Sequence, residues 1–208
     1  MAQYSVTMPY KQVTVQNVNG TAVFSGAQAA GESGQPALPS YFVSFLLPPD
    51  ADLGGVSVSI VNPALQELGG EYAVNPNPPI RRGDGTLEWP KGSDIVDGKD
   101  MRVYGKDAFS PAECKGSVSC GKMRQYNVVD VQINPYLYNP VSKKLRMITG
   151  GTLRVTLSAK AGQSTPNVPR DVWAEKMLKP KIVNPSEFES YGAAPVPKTM
   201  LKGAFTIT

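Results

Sequence analysis

Between Arg124 and Leu157, hydrophobic and polar residues alternate with a period of two on both sides of an interruption built from Asn134-Pro135 and Asn139-Pro140. Asn127, Val129, Val131 and Ile133 fall on one side of an extended chain, and Tyr126, Val128, Asp130 and Gln132 on the other, as in a half-buried strand. Pro135 and Pro140 lack the N–H that a ladder requires, so a rigid corner is predicted from Asn134 to Pro140. After Ser142-Lys143-Lys144, Leu145 and Met147 alternate with Arg146 and Ile148. Beyond Gly150-Gly151, Leu153, Val155 and Leu157 alternate with Thr152, Arg154 and Thr156. The pattern predicts consecutive antiparallel strands.

The same reading extends upstream. Val13-Thr14-Val15 and Ala22-Val23-Phe24 flank Asn19-Gly20, which predicts a hairpin with a type I′ turn. Asn19-Gly20-Thr21 also matches a glycosylation sequon, but the turn alone accounts for these residues. Tyr41 to Leu47, and Val56, Val58 and Ile60, predict two further strands, and Tyr104 to Phe109 reads as strand and core. Asn75 to Lys99 has no sustained period and is predicted to be a long exposed excursion. Pro169 to Leu178 is the one helix candidate, stopped by Pro180, with Trp173 and Met177 one turn apart and expected to pack on a sheet edge. The predicted fold class is all-β: an antiparallel, jelly-roll-like β-sandwich with one short C-terminal helix. Residues 1–191 form the predicted domain, and 192–208, Pro/Ala-rich around Val196, a linker or docking arm.

Composition narrows the function. A chain of 208 residues that is 41% hydrophobic can bury roughly 70% of its unfolded surface, enough for a core without metal or disulfide. The 20 Gly and 19 Pro are scattered as punctuation, which favours short strands joined by turns. A net charge of +4 from dispersed Lys and Arg gives no stripe for nucleic acid. No apolar run approaches the ~20 residues of a spanning helix. Met1-Ala2-Gln3-Tyr4 lacks the basic and apolar regions of a signal peptide, so any export signal is expected outside this sequence.

Histidine is absent, which removes Ser-His-Asp triads, Cys-His dyads, HExxH metallopeptidases and histidine-ligated zinc. No Ser-Lys pair stands out either, so the chain is expected not to be an enzyme and to need no cofactor or metal. Cys114 and Cys120 bracket five residues, a wider spacing than the redox CxxC, and two thiols cannot complete a four-ligand metal site. They read as a local disulfide with Lys115 near the tip of its loop, in a periplasmic or extracellular protein, or as reduced thiols in a cytosolic one. The disulfide is the expectation carried forward.

Four ordered landmarks carry a family resemblance. Gly34, Pro36, Leu38 and Pro39, then Tyr104-Gly105, Phe109 and Pro111, then Val131 to Pro135, and above all Tyr138 to Leu145 together resemble the N-terminal propeptide of gingipain-like cysteine peptidases, family C25. The likeness spans roughly Val13 to Tyr191. It implies a β-sandwich that assists folding of a secreted or cell-surface peptidase in the same precursor and holds it inactive, with residues beyond 191 leading towards that peptidase. The resemblance also implies a basic loop residue placed in the enzyme's specificity pocket. The matching region holds Ile80-Arg81-Arg82-Gly83, where Arg82 is the first choice and Arg81 the second, and Pro76, Pro78 and Pro79 would stiffen the loop. The plain alternative is two solvated arginines. Lys91 is the corresponding choice for a lysine-preferring enzyme, Lys115 marks another contact surface, and Lys179, Lys181, Lys198 and Lys202 are candidate processing positions. A monomer is expected, with the peptidase as partner.

A reading from a different class is a non-enzymatic β-sandwich that binds carbohydrate or a cell-surface ligand through loop aromatics such as Trp89, Tyr136 and Tyr138.

Overall fold

Alternation along the chain becomes two facing antiparallel sheets in a computed structural model, which describes residues 2–158 and 168–192. In chain order the elements are β1 (Ala2–Thr7), β2 (Thr14–Val18), β3 (Thr21–Ser25), β4 (Gln28–Ala30), β5 (Leu38–Leu47), β6 (Ser57–Glu67), β7 (Ile80–Arg81), β8 (Leu87–Glu88), β9 (Ile95–Val96), β10 (Lys99–Asp100), α1 (Met101–Tyr104), β11 (Lys115–Met123), β12 (Tyr126–Ile133), β13 (Tyr136–Asn139), β14 (Lys144–Leu157) and α2 (Val172–Leu178). One sheet runs β11-β12-β5-β4; the other is built on β14, which pairs with β1, β13 and β6. Val43, Phe45, Val129, Val131 and Ile133 from the first sheet meet Leu145, Leu153, Val155 and Tyr136 from the second, all fully buried in one cluster. The fold is therefore the predicted all-β sandwich.

The period-two reading of β12 holds, with Val129, Val131 and Ile133 inward and Val128, Asp130 and Gln132 only half-buried. The hairpin of β2 and β3 also forms as predicted. Asn19 and Gly20 take φ of 51° and 82°, the left-handed pair a type I′ turn needs.

Other expectations need correction. The Asn-Pro corner is itself a strand: β13 lies between Pro135 and Pro140, so neither proline has to donate to the ladder with β14. Its four residues are all buried, and the Tyr136 hydroxyl donates to the Val13 carbonyl at 3.0 Å. β14 is one strand of 14 residues, not two strands split at Gly150-Gly151. Those glycines make an irregularity in its pairing with β6, which resets the inward phase between Ile148 and Leu153. Gly151 has φ 131°, and a Cβ there would lie 3.3 Å from the Asn62 carbonyl oxygen. Tyr104 ends a helical turn and is not in a strand, because Asp100 caps α1.

Beyond β4, no strand among the described residues pairs with the edge of β5, and the C-terminal segment takes its place. Val183 N–H donates to the Ser44 carbonyl at 3.0 Å, and the Asn184 amide exchanges two bonds with the Leu46 backbone at 2.9 and 2.8 Å. Buried backbone groups that a loop would strand are thus paired. Leu46 and Tyr126 are covered by Ala174, Leu178, Ile182, Phe188 and Tyr191. The predicted helix forms and is capped by Asp171, but its buried face is Ala174 and Leu178, and Trp173 and Met177 point to solvent.

Cys114 and Cys120 are free thiols, which overturns the disulfide. The residues between them are strand β11, not a loop, and extended chain separates their α-carbons by roughly 20 Å where a disulfide needs about 5.5 Å. Nor is Lys115 at a tip: it begins β11, half-buried, and its ammonium donates to the Val58 carbonyl at 2.9 Å. Unfolded under non-reducing conditions, the chain is expected to take up alkylating reagent at both cysteines by mass spectrometry. In the native state Cys114, buried with its thiol pushed up to about 11 by desolvation, should react more slowly than Cys120. Alkylation only after reduction would restore the bridge.

Tyr191 ties the C-terminal segment to the sandwich, accepting from Asn127 N–H at 2.9 Å and donating to the Leu47 carbonyl at 2.7 Å. Tyr191→Phe is expected to lower unfolding free energy in urea by about 1–3 kcal/mol by leaving both buried groups unpaired. Burial also raises the Tyr191 hydroxyl from 10.0 to about 12. Its contribution is complete below pH 10 and is lost as pH rises towards 12, so the variant should lose stability less steeply than the parent across that window.

Candidate functional site

The excursion from Asn75 to Lys99 is exposed but not loose. Two buried polar residues, Asn77 and Asp100, anchor it to the segment before β5. Asn77 donates from its amide to the Ala30 carbonyl at 3.2 Å, while its backbone N–H reaches the Gln35 carbonyl at 2.8 Å and its carbonyl accepts from Gly34 at 2.9 Å. At the far end, Asp100, only 1% exposed, donates its backbone N–H to the Gly34 carbonyl at 2.9 Å. Its carboxylate accepts from the Arg102 backbone and guanidinium, and that charged partner holds its pKa below the usual carboxylate range. Gly34 is required at this junction: it has φ 86°, and a Cβ would meet the Ile95 side chain at 2.9 Å.

From this base a hairpin projects. β7 pairs with β8, and the tip closes when Gly85 N–H donates to the Arg82 carbonyl at 3.0 Å and Arg82 N–H to the Thr86 carbonyl at 2.9 Å. Gly85 takes φ 84°, as expected of a short hairpin loop that ends in a left-handed residue. Asp84 caps the turn by accepting from the Thr86 hydroxyl at 2.6 Å and backbone at 2.9 Å, and these bonds lower its pKa.

The two arginines at the tip differ. Arg82 forms a two-pronged ion pair with Glu88 across the hairpin, at 2.9 and 2.7 Å, which raises the pKa of the guanidinium and lowers that of the carboxylate. Arg81 faces Leu87 in the register, so strand alternation puts its side chain on the opposite face from Ile80, Arg82 and Glu88. It is exposed and has no ion-pair partner among the described residues. Ile80 and Glu88 border a groove of about 550 Å3 shared with Glu32, Asn77 and Trp89, which marks their side of the hairpin as the one facing the domain.

Lys91 is exposed at the second position of a separate turn, closed by Ser93 N–H to the Pro90 carbonyl at 3.1 Å with Gly92 at φ 72°. Lys115 lies in β11, away from both turns, with its ammonium already engaged. Of the aromatics considered for sugar binding, only Trp89 lines this groove; Tyr136 and Tyr138 are 0% and 2% exposed because β13 is a core strand, so they are not on a loop surface. Among the described residues no three metal-binding side chains gather. The arrangement displays a cation on a stiff support, and it is suited to binding. Sequence reading missed Glu88, Asn77 and Asp100; the one local signal was an Asp immediately before a helical turn. Lys179 and Lys181 are exposed after α2, whereas Lys198 and Lys202 lie outside the described residues.

A family model described as Propeptide_C25 matches residues 3–184. The chain belongs to the C25 propeptide family. Its fold is similar to a solved complex of the pro- and mature domains of RgpB from Porphyromonas gingivalis, at 22% identity, a TM-score of 0.61, and coverage of 88% of this chain and 92% of that one. A second similar structure addresses zymogenic latency of gingipain K from the same organism, at 20% identity, a TM-score of 0.53, and coverage of 76% and 87%. Comparison with curated proteins gave no match. In this C25 propeptide, Asp100→Ala is expected to cost about 1–3 kcal/mol in urea unfolding and to speed proteolysis within residues 90–105, because Arg102 and the α1 N-terminus lose their acceptor. Since the folded-state pKa is lowered, the carboxylate's contribution is present above the ordinary Asp range and lost as pH falls below it, which acid titration of the parent should report.

Proposed function

We propose that this C25 propeptide inhibits and helps to fold the cysteine peptidase of its own precursor, outside the cytoplasm, by presenting the hairpin tip to the enzyme's specificity pocket. The observation that carries the reading is a pair of adjacent arginines on a hairpin that is closed by its own hydrogen bonds and anchored at its base by Asn77 and Asp100. A pocket that recognises a basic residue needs a carboxylate, and a guanidinium meets a carboxylate with two parallel charge-assisted bonds. Because the hairpin is already ordered, little conformational entropy is lost on docking.

The geometry favours Arg81 over Arg82 for the pocket. Arg82 would have to give up its two bonds to Glu88, whereas Arg81 projects from the other face with no ion pair to break. In this reading Arg82 and Glu88 staple the hairpin and Arg81 enters the enzyme. Lys91 takes the role if the peptidase selects lysine, for which its turn is equally exposed. With no histidine in its sequence, the chain lacks the imidazole base of a Cys-His pair, and in this reading the catalytic pair belongs to the peptidase.

Inhibition constants against the mature cognate peptidase test this. The parent chain should inhibit; Arg81→Ala should weaken inhibition about 100-fold or more, as removal of a fully desolvated charged anchor does, and Arg82→Ala and Glu88→Gln by a few-fold through a looser hairpin. A parent chain without inhibitory effect would sink the proposal. A loss confined to Arg102→Ala or Lys91→Ala would move the contact off the hairpin tip, to α1 or to the Pro90–Ser93 turn.

A further inference from the structure

α2 buries Ala174 and Leu178 against the outer face of the β5-β12 sheet and turns Val172, Trp173 and Met177 outward. Trp173 is 73% exposed, more than any other large apolar side chain among the described residues, and Val172 and Met177 are 55% and 56% exposed. A helix that only had to cover the sheet would carry polar residues on its solvent face. Trp173 and Met177 stand one turn apart and adjoin, and tryptophan is enriched among the anchors that carry protein–protein affinity. Lys176, within one helical turn of Trp173, and Lys179 at the helix end are exposed, whereas the neighbouring cations Arg124 and Arg170 are already paired with Asp171 and Glu175. The patch is apolar at its centre and positively charged at its rim.

The course of the chain says what lies beside it. Gly192 N–H donates to the Val168 carbonyl at 2.7 Å and Gly192 bridges Pro169, so the last described residue sits next to the segment that leads into the Asp171 cap. Gly192 is thus held two to three residues ahead of the Asp171 cap of α2. A domain joined downstream would be tethered on the α2 side of the sandwich, which raises its effective concentration at this face.

We infer that the Val172-Trp173-Met177 face is a second docking surface for the peptidase domain of the same precursor, separate from the Arg81 hairpin; this rests on the propeptide reading above. The surface fits an apolar socket rimmed by carboxylates, which receives the Trp173 ring and faces Lys176. The hairpin blocks the pocket, and the helix face aligns the two domains so that a single exposed arginine need not carry the whole affinity.

The test measures Kd and inhibition constant of parent, Trp173→Ala and Met177→Asp chains against the mature cognate peptidase, with urea midpoints as controls. Trp173 is exposed, so its replacement should leave the midpoint unchanged while weakening binding about 30-fold, mainly through faster dissociation. Met177→Asp should weaken it further by opposing an acidic rim. If the parent inhibits and both variants bind as the parent does, the docking surface is overturned and the hairpin reading stands. A parent that does not bind overturns both. Sedimentation of the chain alone and flotation with phosphatidylglycerol vesicles complete the set. Self-association or vesicle binding that Trp173→Ala abolishes would assign the face to a second copy or to a lipid surface, against the inference.

Discussion

Everything in this domain hangs on the desolvated contact between β14 and the β5-β12 pair. Val43, Phe45, Val129, Val131 and Ile133 on one side and Leu145, Leu153 and Val155 on the other are removed from water completely. That burial is the principal favourable term that offsets the entropy of ordering a chain dominated by long-range pairing. It also fixes register, because a slip of one residue in either sheet would send these side chains to solvent and bring Asp130, Gln132 or Arg154 inward.

With the two sheets fixed, the remaining features are attachments, each secured by a few buried polar groups. Asn184 and Tyr191 close the open edge of β5 and hold the C-terminal segment. Asn77 and Asp100 do the same for the excursion, which has no fully buried apolar side chain of its own. Buried hydrogen bonds are suited to this task. They add little net energy each, yet leaving one unmade is costly, so they specify a single geometry.

The hairpin follows from that economy. Ile80 and Leu87 are mostly exposed, so no core holds it. Its order comes from a closed turn, the Asp84 cap and the Arg82 to Glu88 pair. Such a device is stiff enough to present a side chain and leaves the Arg81 and Leu87 face of the hairpin, away from the groove, open to solvent.

Local pattern was enough to read the strands β12 and β5, the first part of β6, the Asn19-Gly20 hairpin, the helix that ends before Pro180 and the family, because alternation, turn chemistry and helix breakers act on near neighbours in the sequence. Histidine content alone ruled out the commonest hydrolytic machinery. Tertiary structure decided the rest. Pro135 and Pro140 read as breakers, yet β13 fits between them because only the residues inside a ladder must donate. Cys114 and Cys120 read as a clasp until β11 drew them apart. Trp173 and Met177 read as a core face, but helical periodicity gives the stripe and not its direction, and the sheet chose Ala174 and Leu178. Sequence alone put Arg82 ahead of Arg81, and the pairing of Arg82 with Glu88 across the turn could not be read from it, because that bond depends on the hairpin register.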